Sequence, residues 1–209
     1  MNDKIKSIGV IPVVVLENAE DAKPLAEELV KGGLPVAEVT FRTAAAKESI
    51  RIMTENYPEM LVGAGTVLSV SQVDEAMEAG AKFIVTPGFD EEVVDYCLSK
   101  DIPVFPGVIT PTEVTMAVKK GLKVVKFFPA SQFGGLKTIK SLSAPFGMVK
   151  FMPTGGIDAS NLSEYLSSDK IVACGGSWMV KGDLVKAKEF DKIEALTKEA
   201  VELVKKIRG

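Results

Sequence analysis

A lysine within an apolar segment is the residue of this chain best placed to do covalent chemistry. Lys126 stands in LKVVKFFPA, where a strand with two buried faces would hold its amine away from water. Desolvation disfavours the ammonium form, and a neutral amine attacks carbonyl carbons to form Schiff bases. The structural alternative is an amine that reaches solvent at the end of its strand. Lys82 and Lys150 also border apolar segments, but they stand nearer the beginning of their strands, so the pattern favours Lys126 as the nucleophile.

A second segment, PVAEVTFR (35–42), carries polar residues at alternate positions of a predicted strand. One face is apolar and the other carries Glu38, Thr40 and Arg42, because side chains alternate along a strand. Buried parallel strands are usually apolar on both faces, and an uncompensated buried charge is costly. We therefore expect this polar row to point into a binding site. The alternatives are a Glu38–Arg42 ion pair that only satisfies itself, or a strand end that faces water.

Histidine is absent from the 209 residues. This absence removes the most common general base, the Ser–His–Asp and Cys–His nucleophile systems and most catalytic zinc sites. The two cysteines, Cys97 and Cys174, form no CxxC pair, and we expect two buried free thiols in a reducing compartment. Catalysis would therefore depend on carboxylates, lysine, tyrosine, backbone amides or a cofactor.

Composition limits the partners of the chain. It carries 25 basic and 28 acidic side chains, a net charge of −3, without the basic stripe that nucleic-acid binding needs. No stretch approaches the roughly 18 apolar residues of a membrane span, and no secretory signal begins the chain. These features predict a cytoplasmic protein with neither a nucleic-acid nor a membrane partner.

Apolar strands and amphipathic helices alternate along the whole chain. Eight such units without a linker predict a single α/β domain, 1–209, folded as a (β/α)8 TIM barrel. A doubly wound open sheet is the alternative, but the even spacing and the absence of GxGxxG after the first strand favour the barrel. The predicted strands are 8–15, 35–42, 60–66, 82–86, 103–107, 122–128, 148–153 and 170–174. The predicted helices are 19–32, 43–56, 70–80, 90–100, 111–120, 135–143, 158–167 and 187–207.

Capping residues support these boundaries. A side-chain oxygen before a helix can satisfy its first N–H groups, and glycine is common just after a helix. The predicted N-caps are Asn18, Ser69, Asp90, Thr110 and Asp158, and the predicted helix ends are Gly32, Gly80 and Gly121.

In a barrel of this kind, reactive groups lie at the carboxyl ends of the strands. The third strand is rich in glycine and ends on Thr66, which indicates either room for a ligand or tight packing. Glycine pairs follow the seventh and eighth strands, at Gly155 and Gly156 and at Gly175 and Gly176. Backbone N–H groups in such loops, together with a helix dipole, can bind phosphate without lysine.

At these residues the chain resembles the bacterial 2-keto-3-deoxy-6-phosphogluconate (KDPG) aldolases, which often also act as 4-hydroxy-2-oxoglutarate (KHG) aldolases. The resemblance covers nearly the whole chain and depends on seven segments in a fixed order. They are EVTFRT (38–43), VGAGTV (62–67), TPG (86–88), PGVITPTE (106–113), KFFPA (126–130), PTGGI (153–157) and GGSW (175–178).

The resemblance implies a class I aldolase, which forms a lysine Schiff base with a 2-keto acid substrate and uses no metal or other cofactor. It implies Lys126 as the nucleophile, Glu38 as the catalytic carboxylate and a homotrimer as the assembly. The products would be pyruvate with glyceraldehyde 3-phosphate, or pyruvate with glyoxylate. The substrate-binding positions that it implies are Arg42 and Thr66 for the carboxylate, Pro87, Phe128 and Thr154 for substrate fit, and Gly155, Gly156, Gly176 and Ser177 for the phosphate.

The chain departs from the family pattern at Phe41, at Thr86 and in segment 131–133, the last on the phosphate side. Two other functions stay open at this point. One is another phosphate-binding barrel enzyme, an isomerase or a synthase, which would not need Lys126. The other is a non-catalytic ligand-binding barrel in which Lys126 and Glu38 form a structural ion pair. The polar row of the second strand argues against the latter, because such burial is costly without use.

Overall fold

Parallel strands alternate with helices through all 209 residues of the computed structural model. Every strand pairing is parallel, so the predicted α/β class is confirmed. The strands are β1 (Val10–Val14), β2 (Val36–Thr40), β3 (Leu61–Gly65), β4 (Ile84–Val85), β5 (Val104–Phe105), β6 (Gly107–Val108), β7 (Val124–Phe127), β8 (Lys150–Pro153) and β9 (Cys174–Gly176).

The strands form two separate sheets. Six strands pair in the order β5-β4-β3-β2-β1-β9, and three pair in the order β6-β7-β8. Only Pro106 separates β5 from β6. Beyond β8, isolated bridges join Phe151 to Ile171 and Thr154 to Gly175. The parallel sheet is therefore curled, and the carboxyl ends of its strands lie on one side of the molecule.

The predicted fifth strand, 103–107, is divided at Pro106 because proline has no N–H to donate to a neighbouring strand. Its carbonyl still accepts a hydrogen bond from the N–H of Lys126 at 2.9 Å. Gly107 then pairs with Lys126 in the parallel register. This segment thus helps to fix the position of Lys126 along β7.

Helices pack around the strands. None of them combines the length and the apolar character that crossing a lipid bilayer requires. The helices are α1 (Asn2–Ile8), α2 (Ala22–Lys31), α3 (Ala46–Asn56), α4 (Val70–Glu78), α5 (Glu91–Ser99), α6 (Pro111–Lys119), α7 (Gly135–Ser143), α8 (Leu162–Leu166), α9 (Gly182–Lys186) and α10 (Phe190–Arg208). Short 3-10 turns lie at Ala19–Asp21, Ser131–Phe133 and Trp178–Val180.

Three predicted N-caps are confirmed. Side-chain oxygens of Ser69, Asp90 and Thr110 accept hydrogen bonds from the backbone N–H three residues later. Asn18 precedes a 3-10 turn and makes no side-chain cap. The predicted helix ends are also confirmed, since α2, α4 and α6 end within two residues of Gly32, Gly80 and Gly121.

The predicted helix 158–167 begins later than expected, and the predicted cap at Asp158 is wrong. The Asp158 carboxylate accepts hydrogen bonds from the N–H and the hydroxyl of Ser160, and its own N–H donates to Oδ1 of Asn161. These bonds form a tight polar turn in place of the first helical turn. α8 therefore begins only at Leu162.

The eighth strand lies four residues beyond its predicted start. Residues 170–173 make only the single bridge at Ile171, and the strand is Cys174–Gly176, paired with β1. Gly175 and Gly176 are therefore strand residues, whereas the sequence predicts a loop there. Pairing with β1 overrides the turn preference of two glycines, and the absence of side chains accommodates Thr154 beside Gly175 and Trp178 beside Gly176.

Two short helices, α1 and α9, are absent from the sequence prediction. Ile5 is the buried residue of α1 and Val185 that of α9, so neither helix has the apolar periodicity that identifies a longer one. A surface hollow of about 450 Å³ lies at the amino ends of β5 and β7, beside Leu98 and Leu122. It contains none of the predicted site residues.

Candidate active site

Lys126 and Glu38 meet in the interior of the curled sheet. Lys126, in β7, donates from Nζ to Oε1 of Glu38, in β2, over 3.2 Å. The two side chains are 3% and 1% exposed. β2 and β7 are not neighbours in either sheet, so the two side chains reach each other across the interior. The structure thus brings the sequence-predicted nucleophile and acid into contact.

Two side-chain oxygens of the sequence-predicted site residues have no hydrogen-bond partner within the protein. They are Oε2 of Glu38 and Oγ1 of Thr154, both buried. Buried polar atoms are nearly always hydrogen-bonded, so unpartnered ones call for an explanation such as a ligand. Nζ of Lys126 also lies 5.1 Å from the centre of the Phe128 ring, which places an aromatic face beside the amine.

The glycines of β3 make space for this arrangement rather than for a ligand. A Cβ at Gly63 would overlap the ring of Phe83, and a Cβ at Gly65 would overlap the Glu38 carboxylate. Of the two interpretations that the sequence leaves open, tight packing is the one found at these two positions.

Arg42 and Thr66 lie just beyond β2 and β3 and contact each other. Nε of Arg42 donates to Oγ1 of Thr66 at 3.1 Å. Thr66 has a φ of 55°, a left-handed conformation that β-branched residues rarely adopt. Such strained positions persist where their surroundings determine them, and they are frequent at binding sites. The terminal nitrogens of Arg42 make no hydrogen bond or ion pair within the chain, so they can bind a carboxylate in a bidentate manner.

A cavity of about 170 Å³ opens at the carboxyl ends of the strands. Phe128 lines it, and the centre of that ring lies 5.1 Å from Nζ of Lys126. Lys126, Glu38 and Thr66 do not themselves line the cavity. A guanidinium, two hydroxyl-bearing side chains and four glycines are among the groups that line it. The sequence-predicted residues that line it are Arg42, Phe128, Thr154, Gly155, Gly156, Gly176 and Ser177.

The segment after β8 has the conformation of a glycine loop. Gly155 and Gly156 have φ values of 99° and 73°, which residues with a side chain rarely adopt. The N–H groups of Gly156 and Ile157 donate to no other group of the protein. Consecutive free N–H groups in a loop of this kind form a binding site for an anion.

Asp158, which follows this loop, and both cysteines have shifted pKa values. Hydrogen bonds from the hydroxyl and the N–H of Ser160 hold the pKa of Asp158 below its ordinary value. Burial raises the pKa of the Cys174 thiol and raises the pKa of Cys97 to about 12. Both are free, buried thiols, as predicted. Because the thiolate is the nucleophilic form, neither cysteine is suited to covalent catalysis.

The competing lysines lie away from the cavity. Lys150 is the first residue of β8 and pairs with Val124, the first residue of β7. Its Nζ donates to the carbonyl of Asp169, and its side chain is 36% exposed. Lys82 precedes β4 and is exposed. Both stand toward the amino ends of the strands, as the sequence predicts.

No three histidine, cysteine, aspartate or glutamate side chains are grouped in a way that could hold a metal ion.

A family model described as KDPG and KHG aldolase matches residues 1–196. The chain belongs to the KDPG and KHG aldolase family. It is thus an aldolase, a carbon–carbon lyase, and the resemblance inferred from the seven motifs is confirmed.

Several relatives match this aldolase over most of their length. A 2-dehydro-3-deoxy-phosphogluconate aldolase of Haemophilus influenzae is 43% identical over 97% of this chain and 96% of its own. A KHG/KDPG aldolase of Escherichia coli is 43% identical over 92% and 91%. Among solved structures, the KDPG aldolase of Legionella pneumophila, with pyruvate captured as a covalent carbinolamine, has a TM-score of 0.92 and 38% identity over 96% and 98% of the two chains.

One predicted substrate-fit residue of the aldolase lies apart from the others. Pro87 borders a separate surface cavity of about 260 Å³, together with Leu68 and Phe89, and does not line the cavity that contains Arg42 and Phe128. The carbonyl of Pro87 instead packs against Gly107, next to the β7 register that positions Lys126. A contact between Pro87 and substrate therefore stays a prediction.

Proposed function

We propose that this aldolase cleaves 2-keto-3-deoxy-6-phosphogluconate to pyruvate and glyceraldehyde 3-phosphate by a class I mechanism, and that it also cleaves 4-hydroxy-2-oxoglutarate to pyruvate and glyoxylate. The observation that carries the proposal is the buried Lys126–Glu38 contact of 3.2 Å, whose amine lies 5.1 Å from the centre of the Phe128 ring. The printed names of the Haemophilus and Escherichia relatives support the substrates, and the carbinolamine in the Legionella relative supports the covalent chemistry.

The first steps use the amine of Lys126. Glu38 takes a proton from the lysine, and the neutral amine attacks the 2-keto carbon to give a carbinolamine. Glu38 then returns the proton to the carbinolamine hydroxyl, which leaves as water, and an iminium remains. One carboxylate at hydrogen-bond distance from Nζ can perform both transfers, which suits a chain without histidine.

Cleavage follows from the electron demand of the iminium. The electron pair of the C3–C4 bond moves toward the iminium nitrogen, while Glu38 removes the proton of the C4 hydroxyl, directly or through a water. The aldehyde leaves and an enamine of pyruvate remains. Protonation of that enamine at C3 and hydrolysis of the resulting iminium release pyruvate and restore Lys126.

The substrate is oriented from its two ends. Arg42 binds the carboxylate of the 2-keto acid, and the Thr66 hydroxyl proton adds a hydrogen bond to it. The free N–H groups of Gly156 and Ile157, in the loop that begins at Gly155, bind the phosphate. Gly176 and Ser177 line the same cavity. Phe128 and Thr154 line the space between these ends. We expect the 2-keto carbon of a substrate bound in this way to approach the Lys126 amine, which lies beside Phe128.

We further propose that the curled sheet is a closed (β/α)8 barrel forming one domain over 1–209, and that three copies assemble in the cytoplasm. The continuity of β5 with β6 and the two bridges beyond β8 support closure. Free buried thiols at Cys97 and Cys174 fit a reducing compartment. Light scattering on the purified protein tests the assembly, because a trimer has three times the mass of the chain.

Trapping with borohydride tests the function. Incubation with pyruvate and borohydride should add the mass of a reduced pyruvate imine to the peptide that contains Lys126. A Lys150→Met variant should give the same adduct, since Lys150 lies away from the cavity. A label on Lys150, or none at all, would contradict the proposed chemistry. Cleavage of both substrates should persist in EDTA, and comparing their kcat/KM values identifies the preferred one.

A further inference from the structure

Ser131, in the 3-10 turn after β7, contacts the glycine loop after β8. Its Oγ lies 3.1 Å from the carbonyl oxygen of Gly155 and 2.9 Å from that of Gly156, so one hydroxyl proton serves two acceptors. Its backbone N–H also donates to the Gly155 carbonyl at 3.1 Å. The hydroxyl fills the place where a side chain at Gly156 would begin. The side chain of one exposed serine thus hydrogen-bonds to two consecutive carbonyls in the loop that follows β8.

These contacts determine where the N–H groups of the loop point. In a trans peptide the C=O and N–H bonds point in opposite directions. When Ser131 holds the carbonyl of Gly155 on one side, the N–H of Gly156 faces the other side. Holding the carbonyl of Gly156 likewise turns the N–H of Ile157. Both N–H groups lack an acceptor within the protein, and both residues line the cavity.

Other groups hold the same loop but act on different atoms. The N–H of Ala130 donates to the Thr154 carbonyl at 2.8 Å, and Nδ2 of Asn161 donates to the Gly156 carbonyl at 2.9 Å. The Ser131 hydroxyl is the side chain that contacts both glycine carbonyls. Without it, the Gly155 carbonyl keeps one backbone bond and the Gly156 carbonyl keeps only Asn161, so both peptides gain freedom to rotate.

We propose that Ser131 is a positioning residue that orients the Gly156 and Ile157 N–H groups toward the phosphate of the substrate and so sets the preference for phosphorylated aldehydes. The inference rests on the proposed aldolase function and adds to it a residue that does not itself contact the reacting atoms. It predicts a selective effect on the phosphate end, with the Schiff-base chemistry at Lys126 unchanged.

The test uses condensation with pyruvate and two aldehydes that differ only in phosphate, glyceraldehyde 3-phosphate and glyceraldehyde. Ser131→Ala should raise the KM for the phosphorylated aldehyde about tenfold, the usual effect of losing a hydrogen bond that supports binding of a charge. The kcat, and the KM for unphosphorylated glyceraldehyde, should change less than about twofold. Ser131→Thr, which keeps the hydroxyl, should restore most of the phosphate preference.

Ser141→Ala is the matched control, because Ser141 is an exposed serine on α7 whose hydroxyl bonds only to a carbonyl of its own helix. It should leave both KM values unchanged. Equal changes for the two aldehydes, or no change for either, would overturn the assignment of Ser131. Borohydride trapping of pyruvate on the wild type and on each variant distinguishes failure of the Ser131 proposal from failure of the proposed class I mechanism. A wild-type protein that gives no Lys126 adduct would contradict the mechanism and not the role of Ser131.

Discussion

The carboxylate of Glu38 occupies the space that a side chain at Gly65 would fill. The two residues lie on adjacent strands, β2 and β3, and Gly65 faces the interior beside the acid. The third strand, β3, therefore contributes to the site by leaving space at Gly65 for the Glu38 carboxylate. This relationship explains a glycine that has no unusual backbone conformation, since Gly65 is not among the glycines with a positive φ.

Replacing Gly65 by alanine should displace the Glu38 carboxylate from Lys126. We expect a loss of about 1–3 kcal/mol in the free energy of unfolding from overpacking, and a fall of about 100-fold in kcat from misplacement of the acid. Urea unfolding and steady-state kinetics measure the two effects. Gly147→Ala is the control, because a Cβ there meets no atom within 4 Å. An active Gly65→Ala enzyme of normal stability would contradict the packing argument.

Glu38→Gln should separate imine formation from turnover. The amide has the size of the carboxylate but cannot accept a proton, so kcat should fall about 100-fold or more. Trapping with pyruvate and borohydride should still label Lys126, at a slower rate. Quenched-flow trapping and steady-state kinetics on the same preparation give both values. An unchanged kcat would remove Glu38 from proton transfer.

Lys126→Met should destabilise the protein more than Lys126→Met combined with Glu38→Gln. The single change leaves a buried carboxylate without its cation, which typically costs about 3–5 kcal/mol. The double change removes both charges and should recover most of that loss. Urea unfolding at neutral pH compares the two variants with the wild type. Equal stability of the single and double variants would mean that the two groups are not an ion pair in the folded protein.

Thr66→Val should weaken binding of the 2-keto acid carboxylate. Valine keeps the branched shape but removes the hydroxyl that contacts Nε of Arg42. The KM for pyruvate in the condensation reaction should rise about tenfold, with a smaller effect on kcat. Thr66→Ser keeps the hydroxyl and should stay near the wild type. A normal KM in Thr66→Val would place the carboxylate elsewhere.

Glu113 should make stability depend on pH in the acid range. Burial raises its pKa, but hydrogen bonds from the N–H groups of Ile109 and Thr110 and from the Thr110 hydroxyl outweigh this, so the net pKa is below its ordinary 4.5. A lowered carboxylate pKa stabilises the folded state above about pH 4.5, and this contribution is lost as the pH falls through the lowered value.

Glu113→Gln should therefore be about 1 kcal/mol less stable than the wild type at neutral pH, the usual value of a helix cap. The difference should shrink as the pH falls below 4.5, because the wild type then loses its ionised cap. Denaturation curves across that range measure it. Glu92→Gln, at an exposed site in the first turn of α5, should show no such convergence. A pH-independent difference would contradict the role of the ionised cap.

The sequence analysis selected Lys126 and Glu38 because each departs from a simple pattern, and the structure brings the two side chains into contact. A lysine among buried strand residues and a polar row on a parallel strand are both energetically costly unless their charges are paired. Such residues are therefore candidates for a functional site. Confirmed caps such as Ser69 and Asp90 depend on contacts within one turn of helix, which local sequence encodes.

The parts that the sequence missed depend on distant contacts. The eighth strand lies at two glycines because β1 pairs with them, and nothing near Gly175 in the sequence encodes that pairing. The contact of Ser131 with Gly155 joins loops 24 residues apart, and only the packed structure shows it. No feature of the sequence near Pro87 distinguishes a residue that contacts substrate from one that borders a neighbouring cavity.

The Lys126–Glu38 contact joins residues 88 positions apart in the chain and lying on strands that do not pair. The contact therefore requires strands from distant parts of the chain to be in place together. Because turnover needs both groups, the rate at which a denatured sample regains aldol cleavage reports the stage of refolding at which β2 and β7 come together. Comparing that rate with the recovery of helical circular dichroism would show how much of the backbone forms before the reactive centre does.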